Sequence, residues 1–239
     1  MSPRNTLVLA LFMVAAPTAR AQVADSGRTQ NQLEDVLRDA QPARDDFLTI
    51  YQLDVFSYFS LDQYDTDLKK AVFKKSSEYQ LLLDSLKTLK KQIAGGRWYV
   101  TPGWELTDYD VDAHGFHLIL GLNTFSCPAE AQPPKSHGDF LFPSLPTKRV
   151  SYLPEYYPSQ KQERLFLPMS EENGLAIETE GNARIYLLFA VAGVREVSYD
   201  YYLYGGDEYT NTGTYLTTDS IRVVVGNAST GKVYFNKEY

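Results

Sequence analysis

The stretch "ARIYLLFAVAG", Ala183 to Gly193, sets the strongest limit on the fold. It has the length of a strand and is apolar at both odd and even positions. Successive side chains of a strand point to opposite faces, so such a run suits a central strand covered on both sides. The period of two begins at Arg97 and governs most of the chain from there to the C-terminus. In "GFHLILGLNTF", Phe116, Leu118, Leu120 and Leu122 share one face, and His117, Ile119 and Asn123 share the other. "VSYDYYLY", "SIRVVVG" and "KVYF" read as further neighbouring strands. The proline-rich segment from Cys127 to Pro158 reads as an irregular crossing with short edge strands such as Arg149 to Leu153. Tight turns and the lack of a βαβ rhythm favour antiparallel pairing.

Before Arg97 the apolar period is three to four. Ser60 and Gln63 have capping-box spacing, with Phe59 and Tyr64 placed as a hydrophobic staple. They predict a helix from Leu61 to about Lys75. Ser77 and Gln80 repeat the device and open a second helix to Ala94. Its stripe of Tyr79, Leu82, Leu86, Leu89 and Ile93 predicts packing on the protein's own sheet, and Gly95-Gly96 predicts a left-handed stop. "PMSEENGLAIETE" reads as a short helix between two strands. The expected class is therefore α+β: an N-terminal helical pair followed by a mostly antiparallel β-sheet or β-sandwich.

The N-terminus has the three parts of an export signal. Arg4 is basic, Leu7 to Ala16 is an unbroken apolar run, and Ala19-Arg20-Ala21 offers small residues for cleavage before Gln22. That run is well short of the roughly 20 residues that span a bilayer, so stable membrane insertion is not expected. Residues 1–21 are read as signal peptide and 22–45 as a flexible leader. Residues 46–239 are read as a single domain, helical over 46–96 and β-rich over 97–239. The protein is expected to be exported, periplasmic or secreted. Losing residues 1–21 moves the formal charge from −7 to about −9, which gives no basic footprint for nucleic acid. Cys127 is the only cysteine, so no intrachain disulfide forms and packing alone must stabilise the fold.

Motifs for catalysis are scarce. "GNASTGKV", Gly226 to Val233, has the glycine spacing of a phosphate loop, but a strand sequence succeeds it where a helix is required. It predicts a hairpin with Gly231 at its bend, and its Asn227-Ala228-Ser229 is a formal glycosylation sequon. Asp108, Asp110 and Asp112 alternate and would share one face of a strand, with His114 nearby as a weak metal candidate. Ala113 and Ile119 stand where a helix-loop-helix calcium site needs glycine and glutamate, so that site is rejected. No cofactor is expected.

Tyrosines supply the leading candidate surface. Six of the eighteen residues from Ser198 to Tyr215 are tyrosine. Alternation sends Val197, Tyr199, Tyr201 and Leu203 inward and leaves Tyr202 and Tyr204 outward, with Tyr209 in a polar loop. Tyr202, Tyr204 and Tyr209 are the expected binding residues, because tyrosine offers large contact area at low entropic cost. The expected function is an exported non-catalytic binding protein of the cell envelope, holding a glycan or an envelope protein. The alternative is a small envelope hydrolase using carboxylates near Asp108 to Asp112.

Overall fold

In the computed structural model, which describes residues 32–52, 75–120, 135–151, 161–202 and 208–239, the doubly apolar run lies at the centre of a sheet. The described elements begin with α1 (Leu33–Leu37), β1 (Gln41–Pro42), α2 (Phe47–Gln52), α3 (Ser77–Gly95), β2 (Arg97–Val100) and β3 (Glu105–Leu106). They continue with β4 (Gly115–Leu120), β5 (Ser136–His137), β6 (Phe140–Leu141), β7 (Lys148–Ser151) and β8 (Lys161–Pro168). The last are α4 (Glu171–Glu180), β9 (Ala183–Tyr202), β10 (Glu208–Asn227) and β11 (Val233–Glu238). The larger sheet runs β1-β2-β9-β10-β6-β5, with β11 also on β10; the smaller runs β3-β4-β8-β7. Pairing is antiparallel except for β1 with β2 and β6 with β10. The class is α+β, with antiparallel strands dominant.

One core joins the two sheets. Ile185, Leu187 and Phe189 of β9 and Val223 and Val225 of β10 pack with Phe116, Leu118 and Leu120 of β4 and Leu165 and Leu167 of β8. Leu86 and Ile93 of α3 belong to the same cluster, and Tyr79, Leu82 and Leu89 pack against it half-buried. The helix stripe thus serves the protein's own core. The opposite face of β9 is also covered: Tyr186 and Leu188 pack with Val224 and with Leu33 of α1.

That second cover is the main departure from the sequence reading, because residues 32–45 fall in the stretch expected to be a flexible leader. Leu33 is 5% exposed, and its amide donates to the Gly231 carbonyl at 2.7 Å. Gly226 is closely approached from both sides, since a Cβ there would lie 3.1 Å from Leu33 Cδ1 and 3.2 Å from the Lys232 carbonyl oxygen. A segment with few apolar residues can seat itself when the patch beneath it is equally small.

The helix ends differ in detail as well. Ser76, extended at φ −75° and ψ 150°, caps α3 by accepting from the Tyr79 amide at 3.1 Å, one residue earlier than Ser77. The first predicted helix, from Leu61, lies outside the described residues except for Lys75 at its end. Neither Gly95 nor Gly96 is left-handed. Instead the Trp98 indole Nε1 donates to the Ile93 carbonyl at 2.8 Å, and a Cβ at Gly96 would come within 2.5 Å of that ring. Gly96 is needed for contact with tryptophan, not for a turn of backbone hand. The short helix α4 does form, capped by Ser170 and closed by Gly181 at φ 67°.

Leu33→Ala should lower unfolding stability by about 2 kcal/mol, at the low end for a buried leucine, since a terminal helix can partly collapse onto the gap. Urea denaturation checks this; an unchanged midpoint would mean that α1 does not cover the sheet.

Candidate functional site

β9 and β10 are each twenty residues long, but only about half of their ladder lies in the sheet. β2 pairs with β9 no further than Ala190, and β6 meets β10 at Leu216 and Thr217. Beyond these points the ladder runs from Tyr215↔Arg195 to Glu208↔Tyr202, and among the described residues the two strands there have only each other. Register shifts mark the departure, one skipping Ala192 and one at Ser220, whose φ is 47°. Bulges of this kind bend and twist a strand pair. Every described side chain at 192–200 and 208–215 is exposed or half-buried. The hairpin is an arm.

The register sorts the arm into two chemically distinct faces. Arg195, Val197 and Tyr199 pair with Tyr215, Gly213 and Asn211 on one face. Glu196, Ser198 and Asp200 pair with Thr214, Thr212 and Thr210 on the other. Hydroxyls knit the polar face: Ser198 and Thr212 share a bond at 2.8 Å, and Thr210 donates to Asp200 at 2.6 Å. On the tyrosine face, Asn211 Nδ2 donates to the Tyr199 hydroxyl at 2.9 Å. The Tyr215 ring lies across Gly213, where a Cβ would fall 2.7 Å from ring carbon Cε2. Burial pushes the Tyr215 hydroxyl above its ordinary pKa, with Tyr199 and Asp139 adding to the rise.

The structure divides the expected binding residues. Tyr209 is 41% exposed and pairs with Tyr201, in the row of the tyrosine face. Position 202 pairs with Glu208, in the row of Ser198 and Asp200. Tyr202 and Tyr209 therefore occupy opposite rows, and Tyr204 lies outside the described residues. Tyr199, which alternation sends inward, lies on the aromatic face with Tyr215 and Tyr209. A clue was present in "TNTGT", whose polar residues at both parities leave no stripe for a core beneath.

The aspartates serve a turn. Asp110 and Gly115 exchange both backbone bonds, at 2.8 and 3.2 Å, and close the turn Val111 to His114. Asp110 Oδ1 accepts from the Ala113 amide at 2.8 Å, and His114 sits at φ 54°. Strand alternation does not apply there, so Asp108, Asp110 and Asp112 do not line up. β3 ends at Leu106, where the apolar parity switches. His114 Nδ1 lies 3.6 Å from Glu171 Oε1, and both side chains are exposed. Among the described residues no three of histidine, cysteine, aspartate and glutamate form a group that could hold a metal. Cys127 lies outside the described residues. Comparison with protein-family models, with curated proteins and with solved structures finds no match to this chain.

A second polar cluster sits at the other end of the ladder. β10 and β11 form a hairpin with Gly231 at φ 74°, the turn expected for "GNASTGKV". Asn227 is 1% exposed; its Oδ1 accepts from the Ser229 and Thr230 amides at 2.8 and 3.1 Å. Its Nδ2 donates to Glu180 Oε2 at 2.8 Å and to the Tyr234 hydroxyl at 3.3 Å. A glycan on that nitrogen is incompatible with this fold. The Tyr234 hydroxyl donates to the same Glu180 oxygen at 2.5 Å, clasping the end of α4 to the hairpin. These bonds, Tyr234 first and then Asn227, hold the Glu180 carboxyl below its ordinary value of 4.5 against the opposing effect of burial, and Lys232 adds to the depression.

A depressed folded-state pKa gives stability that is fully present above the unfolded value and is lost as pH falls through the folded one. Thermal midpoints of the wild type and Glu180→Gln should therefore differ at neutral pH and converge below pH 4.5. A gap that persists unchanged into acid would show that the ionised carboxylate does not hold the clasp.

Proposed function

We propose that this is an exported, non-catalytic binding protein of the cell envelope that meets its ligand with the β9–β10 arm. The arm itself is the observation that carries the reading. It extends the central ladder of the core past the last neighbouring strand among the described residues, and its two faces are sorted into aromatic and hydroxylic–acidic rows. An isolated two-stranded ribbon is marginal in water, so a core that holds one outward serves a contact made at that ribbon. Export rests on the sequence "RNTLVLALFMVAAPTARA", with cleavage before Gln22. No helix among the described residues is long and apolar enough to cross a membrane. The acidic charge, −7 over the whole chain, favours a partner other than nucleic acid. Glycan and envelope protein are the two ligand classes that a tyrosine-rich face suits.

Shortening the arm tests this directly. Replacing residues 196–214 with Asn-Gly, a two-residue hairpin turn, leaves Arg195 and Tyr215 as the last pair. Because no described side chain in the deleted part is buried, the thermal midpoint should stay within about 3 °C of the wild type. Retention on an envelope fraction from the source cells should be lost. Equal retention of the shortened and full-length proteins would overturn the proposal.

A further inference from the structure

Resting on that reading of the arm, we infer that its tyrosine face is a stacking platform for one linear, neutral polysaccharide chain of β-linked pyranose rings. Three features lead to this ligand class. The first is how the rings are held. Tyr215 lies across Gly213, where any side chain would collide with it, and Tyr199 is tied by its hydroxyl to Asn211. Both rings are fixed on the ribbon before a ligand arrives. A pyranose with equatorial substituents presents a face of axial C–H groups, which packs on an aromatic face, while its hydroxyls reach polar groups at the rim. Arg195, Asn211 and the Tyr199 hydroxyl supply those polar groups.

The second feature is size. The face from the Arg195–Tyr215 pair to the Tyr202–Glu208 pair spans eight residue pairs, roughly 25 Å long and about 10 Å across. That is roughly 250 Å², well under the ~800 Å² per partner of a stable protein interface. A narrow strip suits a single extended polymer chain. The third is charge. Arg195 pairs with Tyr215 from one side, and Asp139 approaches the same tyrosine from the β5–β6 turn. Beyond that pair the row holds Val197, Gly213, Tyr199, Asn211 and Tyr209, none of them charged, so neither a polyanion nor a polycation gains along the strip, and a neutral chain fits it.

The test uses the full mature chain and the β-1,4-linked hexamer of N-acetylglucosamine, measured by titration calorimetry. Saturable binding is expected. Tyr199→Ala and Tyr215→Ala should each weaken it about tenfold, the loss of one stacked ring, whereas Tyr199→Phe and Tyr215→Phe should stay within about threefold. The phenylalanine variants keep the ring, so they separate stacking from any folding defect of the alanine variants. Amylose, whose α-linkages coil the chain, should not bind. No saturable binding of the hexamer, equal binding by the alanine variants, or equal binding of amylose would each overturn the glycan assignment. If the wild type fails with the hexamer yet its arm still retains it on the envelope fraction, the glycan assignment falls and the binding-protein reading survives. If arm-dependent retention is absent too, both fall.

Discussion

The pairing of β9 with β10 carries this structure from its core to its tip, and the other elements are arranged along it. At one end the ladder has cover on both faces: α3 and the smaller sheet on one, α1 with β2 and β11 side chains on the other. At the far end it has neither among the described residues. A ribbon of two strands does not order itself alone, because the entropy of fixing its backbone exceeds the stabilisation from a few cross-strand contacts. Here the buried half supplies the register, and the exposed half continues it without a new nucleation step. The stability of the arm derives from Leu187, Phe189, Val223 and their neighbours.

This division matches the burial of the central strand, whose side chains are buried or half-buried without a break from Ile185 only as far as Val191. From Arg195 onward no layer of described residues lies beneath the strands, and their sequence changes to threonine, serine, acid and tyrosine. The bulges at Ala192 and Ser220 fall at this boundary. Bulges increase local twist, so the strand pair twists more sharply near the point where burial stops. The clasp of Glu180, Asn227 and Tyr234 holds the opposite end, where β10 turns into β11 and α4 finishes.

Much of this was legible in the sequence wherever a period decides a face. The stripe of α3 and the alternation of Phe116, Leu118 and Leu120 both report a core that lies there. The same logic misplaced Tyr199, because alternation shows that two faces differ but not that one of them is inside. A ribbon that sorts aromatic from polar residues has the same period as a strand on a core. Other errors share a tertiary cause. Gly96 is needed by a tryptophan ring, and Asp110 completes a turn instead of lining a strand. Each motif was local, and each role was assigned by the groups that pack against it.

The half-buried state of Tyr199 and Tyr215 bears on how well such a surface can bind. A freely rotating tyrosine on a flexible ribbon gives up rotamer freedom whenever it grips a ligand, and that loss subtracts from affinity. On this arm much of the loss has already occurred during folding. The missing side chain of Gly213 makes space for one ring, and the Asn211 amide tethers the other. Glycine inside a strand weakens it, since it costs backbone entropy and leaves nothing to pack. Its presence in mid-arm is explained by the ring that lies over it, which replaces the missing packing and is itself held in place. The arm therefore combines a weaker strand with a fixed aromatic surface, a balance that favours binding over stability.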